Sequence, residues 1–333
     1  MPCWTSCRLK CRPTGLTRVS CRQAAGRRCG CSRARSRIDT GERIENVKKN
    51  YNEEVLPAAK LEQRRYKLLA LDFDGTTLDS AKRFPTEISA AVHELKARGI
   101  EVIVSSGRGK AELKDYKREL EDFDYGVMIS GGLVYDFRAH APLFSQPLPK
   151  AALEQAFAAA EDEQAMTQLL TVDESVTRGS HIARMEDFHM EVYREMYERV
   201  CRREEDLAGF IAAQYGQICK MNIYHRDEAS RLRNYKRLEK LGLSITFAEQ
   251  TSLELSAPGI SKAQGLKVIC AHLGISTDDV VAIGDAPNDE EVLKLAGLGV
   301  AMGNASEDIK AISDVVVADN DHLGVLEAIN RFF

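Results

Sequence analysis

Residues 68–80 have the sequence LLALDFDGTTLDS. Four apolar residues run directly into Asp72 and Asp74, which are separated by one phenylalanine and followed by a glycine. A short continuous apolar run is typical of a parallel strand that helices cover on both faces. The sequence therefore predicts a buried strand whose carboxyl end carries two acidic side chains.

Outward from this strand, strand-like and helix-like segments alternate. PTEISAAVHELKARG (85–99) has a helical apolar stripe with a proline near its start and a glycine at its end. IEVIVSSGR (100–108) and YGVMISGG (125–132) are strand-like, and the rhythm returns from DDVVAIGDAPND (278–289) to DVVVAD (314–319). This order predicts an α/β fold, a doubly wound, Rossmann-like parallel sheet with helices on both faces.

Two other regions flank or interrupt the alternation. Residues 1–65 form a basic, Cys-rich leader and a polar connector, expected to be disordered or partly helical. Residues 138–257 contain charged helical segments followed by a strand, helix, strand, strand series, which predicts a smaller α+β unit. Because the first sheet resumes afterwards, we expect a core of residues 66–137 and 258–333 with this unit inserted as a cap domain.

Charge and composition favour a small-molecule partner. The net charge of -4 combines ten basic and no acidic residues in 1–38 with 36 basic against 50 acidic residues in the remainder. An acidic body argues against nucleic-acid binding, which needs clustered positive charge. No apolar run approaches the length of a membrane span, so no membrane partner is expected. The oligomeric state is left open.

Cysteine usage bears on location. Only Cys201, Cys219 and Cys270 lie outside the leader, which fits a reducing compartment and predicts a cytoplasmic protein. The six leader cysteines match no four-ligand metal spacing. The Arg-rich, acid-free leader is compatible with an organelle-targeting peptide, but a disordered extension, or translated sequence upstream of the true start, is favoured.

Acidic residues follow two of the predicted strands. Asp72 and Asp74 end one strand, and Asp285 and Asp289 in GDAPND end another. Ligands of doubly wound sheets bind beyond the carboxyl ends of the strands, so these carboxylates are expected to converge. Taken alone, each of these motifs also consists of residues that are common in ordinary turns. Together they predict a site for Mg²⁺, which prefers oxygen ligands.

Other polar residues occupy the remaining junctions. Ser106 and Gly107 follow the second strand, and Lys262 lies in GISKAQGL. Taken singly, a serine at such a junction is most often a turn residue, and a lysine is most often a solvated surface charge. Beside an acidic metal site, a hydroxyl, backbone N–H groups and an ammonium predict a cradle for a phosphoryl group.

The motifs DFDGTTLDS, SSGR, SKAQGL and GDAPNDEEVL resemble, in order and spacing, those of the haloacid dehalogenase superfamily, most closely its Cof-type phosphatases. The resemblance covers residues 66–333. It implies that Asp72 is a nucleophile forming an aspartyl-phosphate, and that Asp74 is the acid and base. Superfamily members that displace halide lack the second aspartate, so Asp74 favours phosphate esters.

The resemblance also implies a ligand set. Mg²⁺ would be bound by the Asp72 carboxylate, the Asp74 main-chain carbonyl and Asp285, with Asp289 in support. The phosphoryl oxygens would be held by Ser106, Gly107, Lys262 and Asn288. The chain departs from the family pattern at Ser130, where asparagine is common, and at Ala286 and Pro287, where Gly-Glu is usual.

Several further residues receive weaker roles. Arg178, His181 and Arg184 of the expected cap either contact an anionic substrate or form a solvated loop, and the loop is favoured. Met185, Met190 and Met196 are interpreted as cap packing.

The expected function is a Mg²⁺-dependent phosphatase, a phosphoric monoester hydrolase that acts on small phosphorylated metabolites such as sugar phosphates or phosphorylated cofactors. Two alternatives remain. One is a phosphotransferase or phosphomutase with the same core and cap, and the other is a non-catalytic sensor of a phosphate ligand.

Overall fold

The computed structural model of the protein describes residues 66–247 and 250–333. The leader and connector expected in residues 1–65 lie outside these ranges. The helices of the described part are α1 (Thr86–Ala97), α2 (Lys150–Asp162), α3 (Gly179–Ile182), α4 (Arg194–Val200), α5 (Leu207–Ala213), α6 (Glu228–Leu238), α7 (Lys262–Leu273), α8 (Glu290–Leu295), α9 (Glu307–Ile312) and α10 (Gly324–Phe332).

The strands of the described part form two sheets. They are β1 (Leu68–Leu71), β2 (Glu101–Ser105), β3 (Tyr125–Met128), β4 (Leu133–Asp136), β5 (Ala141–Ser145), β6 (Met166–Thr171), β7 (Ser175–Thr177), β8 (Cys201–Arg203), β9 (Ile218–Tyr224), β10 (Ser244–Thr246), β11 (Ser252–Ser256), β12 (Val280–Gly284), β13 (Leu298–Ala301) and β14 (Val315–Val316).

The first sheet has the strand order β14-β13-β12-β1-β2-β3-β4-β5 among the described residues. Neighbouring strands from β14 to β3 pair in parallel, whereas β4 and β5 are antiparallel additions at one edge. The predicted α/β class with a parallel-rich central sheet is confirmed. Strand β1 lies near the middle, between β12 and β2.

Both faces of β1 are buried, as the apolar run predicted. Leu69 and Leu71 pack in a cluster with α1 and α10, while Leu68 and Ala70 pack in a cluster with α7, α8 and α9. All four are at most 1% exposed. Helices therefore cover both faces of β1. Asp72 follows at the carboxyl end of the strand, where the chain leaves the core.

The second sheet has the order β10-β11-β9-β6-β7-β8, antiparallel except for the pair β7 and β8. Its apolar residues, including Leu169, Met221 and Leu253, pack against α2, α5 and α6. Successive side chains of a strand point to opposite faces, so the polar residues between them form the other face of this sheet.

Strand β5 falls inside the range 138–257 that the sequence assigned to the inserted unit. The structure instead pairs Ala141–Ser145 with β4 in the first sheet. This strand carries little sequence signal because none of its five side chains is fully buried, so no apolar pattern is required of it. Within the described ranges, no helix combines the length and the apolar character that a bilayer crossing needs.

Candidate active site

Strands β12, β1 and β2 are parallel neighbours, so the residues that follow them meet at one edge of the sheet. Asp285 follows β12, Asp72 follows β1, and Ser106 follows β2. Lys262 is the first residue of α7, whose start is capped by the Ser261 hydroxyl accepting the Gln264 N–H. The fold thus brings the predicted strand-end residues together.

Lys262 lies at the centre of this group and is only 1% exposed. Its Nζ donates to Asp72 Oδ1 at 2.5 Å and to Asp289 Oδ1 at 2.7 Å. A buried ammonium is stable only when it is paired with anions. The lysine therefore fixes the Asp72 carboxylate in position, a role that a solvated surface lysine cannot perform.

Three carboxylates face one another beside the lysine. Asp72, Asp285 and Asp289 each offer one oxygen, and these oxygens lie within 4.8 Å of one another. Burial and the neighbouring carboxylates raise the pKa of Asp72 well above its usual range, although Lys262 opposes the shift. Burial also raises the pKa of Asp285 to about 6. A divalent cation relieves this crowding, so the donor set fits Mg²⁺.

The backbone at Gly75 approaches the carboxylates closely. Gly75 has φ +78°, and a Cβ added there would lie 2.4 Å from Asp285 Oδ2. The next residue, Thr76, donates its hydroxyl to Asp285 Oδ1 at 2.7 Å. The turn after β1 therefore needs a glycine for two reasons, its positive φ and the space taken by Asp285.

Asp74 is turned away from the three carboxylates and is held by two cations. Arg108 donates Nε and Nη2 to its two carboxylate oxygens at 2.6 and 2.8 Å, and Lys82 Nζ donates at 2.9 Å. Burial alone would raise the pKa of Asp74, but the hydrogen bonds and charges of Arg108 and Lys82 hold it well below its usual range. Asp74 is therefore ionised in this form of the protein.

The residues expected to hold the phosphoryl group lie around the same edge. The Ser106 hydroxyl accepts the Arg108 backbone N–H at 3.1 Å, and Asn288 Oδ1 accepts from Lys262 Nζ at 3.4 Å. The Gly107 carbonyl accepts from Lys220 Nζ, which comes from β9 of the second sheet. Their role in binding phosphate stays a prediction.

A cavity of about 400 Å³ opens over this edge. Its floor belongs to the first sheet, and its opposite wall belongs to the inserted unit. The predicted site residues on the floor are Asp72, Asp74, Ser106, Gly107, Asp285 and Asn288. The wall includes Gln168, Asn222 and Glu254 together with Met190, Tyr193, Met196, Tyr197 and Tyr224.

Sequence reasoning assigned no role to two cations of the floor. Arg108 belongs to the SSGR motif, so its neighbours Ser106 and Gly107 were a signal that its side chain faces the site. Lys82 lies in the segment between Asp74 and α1 and has no motif around it. Its position next to Asp74 follows only from the turn after β1.

The three charged or titratable residues of the inserted unit that were considered from sequence, Arg178, His181 and Arg184, do not line the cavity. Arg178 forms a bidentate pair with Glu161 at 2.7 and 2.8 Å, and Arg184 pairs with Asp187. Ser130, which replaces the usual asparagine, accepts from Lys220 Nζ at 2.9 Å. Of the three methionines, Met185 and Met190 are buried in the inserted unit, and Met190 also reaches the cavity with Met196.

Residues 69–329 match a family described as haloacid dehalogenase-like hydrolase. Because the match covers most of the chain, the protein belongs to this family. The predicted resemblance to its Cof-type members and the predicted enzyme class, a phosphatase, are confirmed by the match and by the relatives below.

Two curated proteins and one solved structure illustrate the relationship. The chain is 28% identical over 284 residues to the Endoribonuclease YBEY, chloroplastic, of Arabidopsis thaliana, covering 82% of this chain but only 47% of that protein. It is 26% identical over 272 residues to the 5-amino-6-(5-phospho-D-ribitylamino)uracil phosphatase YcsE of Bacillus subtilis, covering 80% of this chain and 95% of YcsE.

A haloacid dehalogenase-like hydrolase from Bacteroides thetaiotaomicron shares the fold. Its crystal structure superposes with a TM-score of 0.70 at 27% sequence identity, covering 80% of this chain and all of that chain.

Proposed function

We propose that the protein is a Mg²⁺-dependent phosphatase that hydrolyses small phosphorylated metabolites through an aspartyl-phosphate on Asp72. One observation carries the proposal: Lys262 Nζ, buried under the cavity floor, bridges Asp72 and Asp289. An aspartate fixed in this way presents its carboxylate to a ligand in the cavity. The name of YcsE, which describes a phosphatase of a phosphorylated metabolite, supports the same chemistry.

The proposed metal ligands are the carboxylates of Asp72 and Asp285 and the main-chain carbonyl of Asp74, with Asp289 in support. Bound Mg²⁺ would offset the negative charge shared by the carboxylates and the phosphoryl group. Asp289 also accepts the backbone N–H groups of Asp285 and Ala286 at 3.2 and 3.1 Å. This holds the Asp285 backbone, so Asp289 supports the site by orientation as well as by charge.

In the first step, an Asp72 carboxylate oxygen forms a bond to phosphorus while the bond from phosphorus to the ester oxygen breaks. The leaving oxygen takes a proton from Asp74. In the second step a water attacks phosphorus, Asp74 accepts its proton, and the bond between Asp72 and phosphorus breaks. The products are the alcohol and inorganic phosphate, and both aspartates return to their starting states.

The ionised Asp74 of the described form suits the second of these roles. For the first role it must carry a proton, which requires weaker contacts with Arg108 and Lys82. An anionic phosphoryl group in the cavity competes for the same two cations. Substrate binding is therefore expected to raise the pKa of Asp74, and so to prepare it as an acid.

We further propose that the unit from α2 through β11 acts as a cap. Its second sheet supplies one wall of the cavity, and the first sheet supplies the floor. A wall of this kind excludes water from the first step and contacts the leaving group. The expected cytoplasmic location of the protein stays a prediction.

The test is phosphate release from a panel of phosphate esters by the full chain with Mg²⁺. We expect turnover that stops on chelation, returns with added Mg²⁺, and is lost in Asp72→Asn. Product analysis distinguishes a phosphomutase, which would return an isomeric ester instead of inorganic phosphate. Unchanged turnover in Asp72→Asn, or with chelator, would overturn the proposal.

A further inference from the structure

One transverse row of polar side chains crosses the inserted sheet on the face that borders the cavity. Gln168 on β6, Asn222 on β9 and Glu254 on β11 are direct partners across adjacent strands. All three line the cavity opposite the catalytic floor. Neighbouring residues in such a row present their side chains side by side, so a ligand that fills the cavity meets them together.

The orientation of the Asn222 amide is fixed by a chain of hydrogen bonds that begins in the first sheet's loop after β2. The Gly109 N–H donates to Glu112 Oε2 at 2.7 Å. Glu112 Oε1 then accepts from Gln168 Nε2 at 2.6 Å, which also donates to the Ser175 hydroxyl at 2.8 Å. The Gln168 amide is therefore oriented with its oxygen, Oε1, towards Asn222.

The Gln168 oxygen accepts from Asn222 Nδ2 at 2.9 Å, and Asn222 Nδ2 also donates to the Tyr224 hydroxyl at 3.2 Å. Rotating the Asn222 amide would place two acceptor oxygens, its own and that of Gln168, against each other. The network therefore assigns the nitrogen to the Gln168 side and leaves Oδ1 on the other side.

Asn222 Oδ1 has no hydrogen-bond partner among the described residues, and the residue is 5% exposed. A buried acceptor without a partner is unfavourable, and most such groups in folded proteins are satisfied. Asn222 borders the cavity, but its Oδ1 has less than 1 Å² of accessible surface, so a ligand donor reaches this oxygen by displacing the side chains that cover it.

We propose that Asn222 selects the substrate by accepting a hydrogen bond from an O–H or N–H group of the leaving group. This rests on the proposed phosphatase function and narrows it to esters whose alcohol carries such a donor. The adjacent Glu254 is paired with the buried Lys220 ammonium at 2.6 Å, so its charge is offset and the selection rests on Asn222. The preferred class is thus phosphate monoesters whose alcohol carries a hydroxyl or amino group.

The experiment compares two kinds of ester with the full-length protein and Mg²⁺. Phenyl phosphate has a leaving group without a second donor, while glycerol 3-phosphate, glucose 6-phosphate and phosphoethanolamine carry O–H or N–H groups. We expect Asn222→Leu to lower kcat/KM for the best donor-bearing ester by about tenfold, the typical effect of losing one buried hydrogen bond. For phenyl phosphate, kcat/KM should stay unchanged or rise, because an unpaired acceptor has been removed.

Asn234→Leu is the matched control. Asn234 is a fully buried asparagine of the inserted unit, its Oδ1 also lacks a partner among the described residues, and it does not line the cavity. Its substitution should reduce thermal stability similarly and leave the ratio of the two kcat/KM values unchanged. Asn222→Ala, which is smaller, repeats the comparison if Asn222→Leu does not fold.

Three results are decisive. An altered ratio in the Asn222 variants alone supports the proposal. An equal change for both kinds of ester, or no change for the donor-bearing ester, overturns it and leaves the phosphatase function standing. A wild-type protein that turns over neither kind of ester overturns the phosphatase function, and the selection with it.

Discussion

Asp74 is the residue whose proposed role depends most on the leaving group. A departing alkoxide needs a proton, whereas p-nitrophenolate leaves without one. We therefore expect Asp74→Asn to lower kcat for an alkyl phosphate by about 10²–10⁴-fold and to lower kcat for p-nitrophenyl phosphate far less in the first step. Burst kinetics measure that step separately. Equal losses for the two esters in the burst would contradict the assignment of Asp74 as the acid.

Gly75 gives a test of the metal site that uses backbone geometry. An alanine there would place its Cβ 2.4 Å from Asp285 Oδ2. We expect Gly75→Ala to fold and to need a much higher Mg²⁺ concentration for half-maximal activity, because Asp285 must move. The matched control is Gly99→Ala, which has the same φ of +78° and nothing within 4 Å of the added Cβ.

Both variants place an alanine at the same positive φ, which costs about 1–2 kcal/mol in each. Thermal unfolding should therefore show a loss of stability from this strain in both variants. Only Gly75→Ala should change the Mg²⁺ concentration needed for half-maximal activity. If the two variants shift the Mg²⁺ titration equally, the close approach of Gly75 to Asp285 has no functional role.

At the scale of elements, helix α3 carries a histidine that links stability to pH. Burial, and secondarily the charge of Arg178, lowers the pKa of His181 to about 4, and its Nδ1 faces the Thr167 N–H of β6 at 3.4 Å. An unfolded histidine has a pKa of about 6.5. Between these values the unfolded chain binds a proton that the folded chain does not, so the free energy of unfolding falls as pH falls.

The measurement is the midpoint of thermal unfolding between pH 7 and pH 4.5. His181→Gln should lose less stability over this interval than the wild type, since the substituted side chain does not titrate. His93→Gln is the control, because His93 has a side chain that is 75% exposed on α1. The assignment fails if both variants follow the pH dependence of the wild type.

The carboxyl ends of the parallel strands are the part of the site that the sequence predicted well. Asp72, Ser106 and Asp285 follow short apolar runs, and neighbouring parallel strands end at one edge of a sheet, so a local pattern was enough. Lys262 was found by its motif, but its burial between Asp72 and Asp289 was visible only in the structure.

The wall of the cavity was not predictable in the same way. Gln168, Asn222 and Glu254 become neighbours only because β9 pairs with both β6 and β11. Strand order in an antiparallel sheet depends on long-range packing, and none of the three residues lies in a recognisable motif. The range 138–257 that the sequence assigned to the inserted unit contains all three residues, but it also contains β5, which pairs with β4 in the first sheet.

At the scale of the whole molecule, Lys220 connects the inserted sheet to the core. It is a fully buried residue of β9, and its Nζ donates to Glu254 Oε2 at 2.6 Å, the Ser130 hydroxyl at 2.9 Å and the Gly107 carbonyl at 3.3 Å. Ser130 and Gly107 belong to loops of the first sheet. One ammonium therefore joins the wall and the floor of the cavity beside the proposed phosphate site.

Removing one partner of a buried ion pair leaves the other charge uncompensated, so Lys220→Met should cost about 3 kcal/mol or more of unfolding free energy. The double variant Lys220→Met, Glu254→Gln should recover part of this loss, because no buried charge is left alone. Lys294→Met, which breaks an exposed pair on α8, should cost only about 0.3–0.5 kcal/mol. Urea unfolding of the wild type and the three variants measures the loss of unfolding free energy in each. If Lys220→Met is no less stable than Lys294→Met, the Lys220 contacts do not hold the two sheets together.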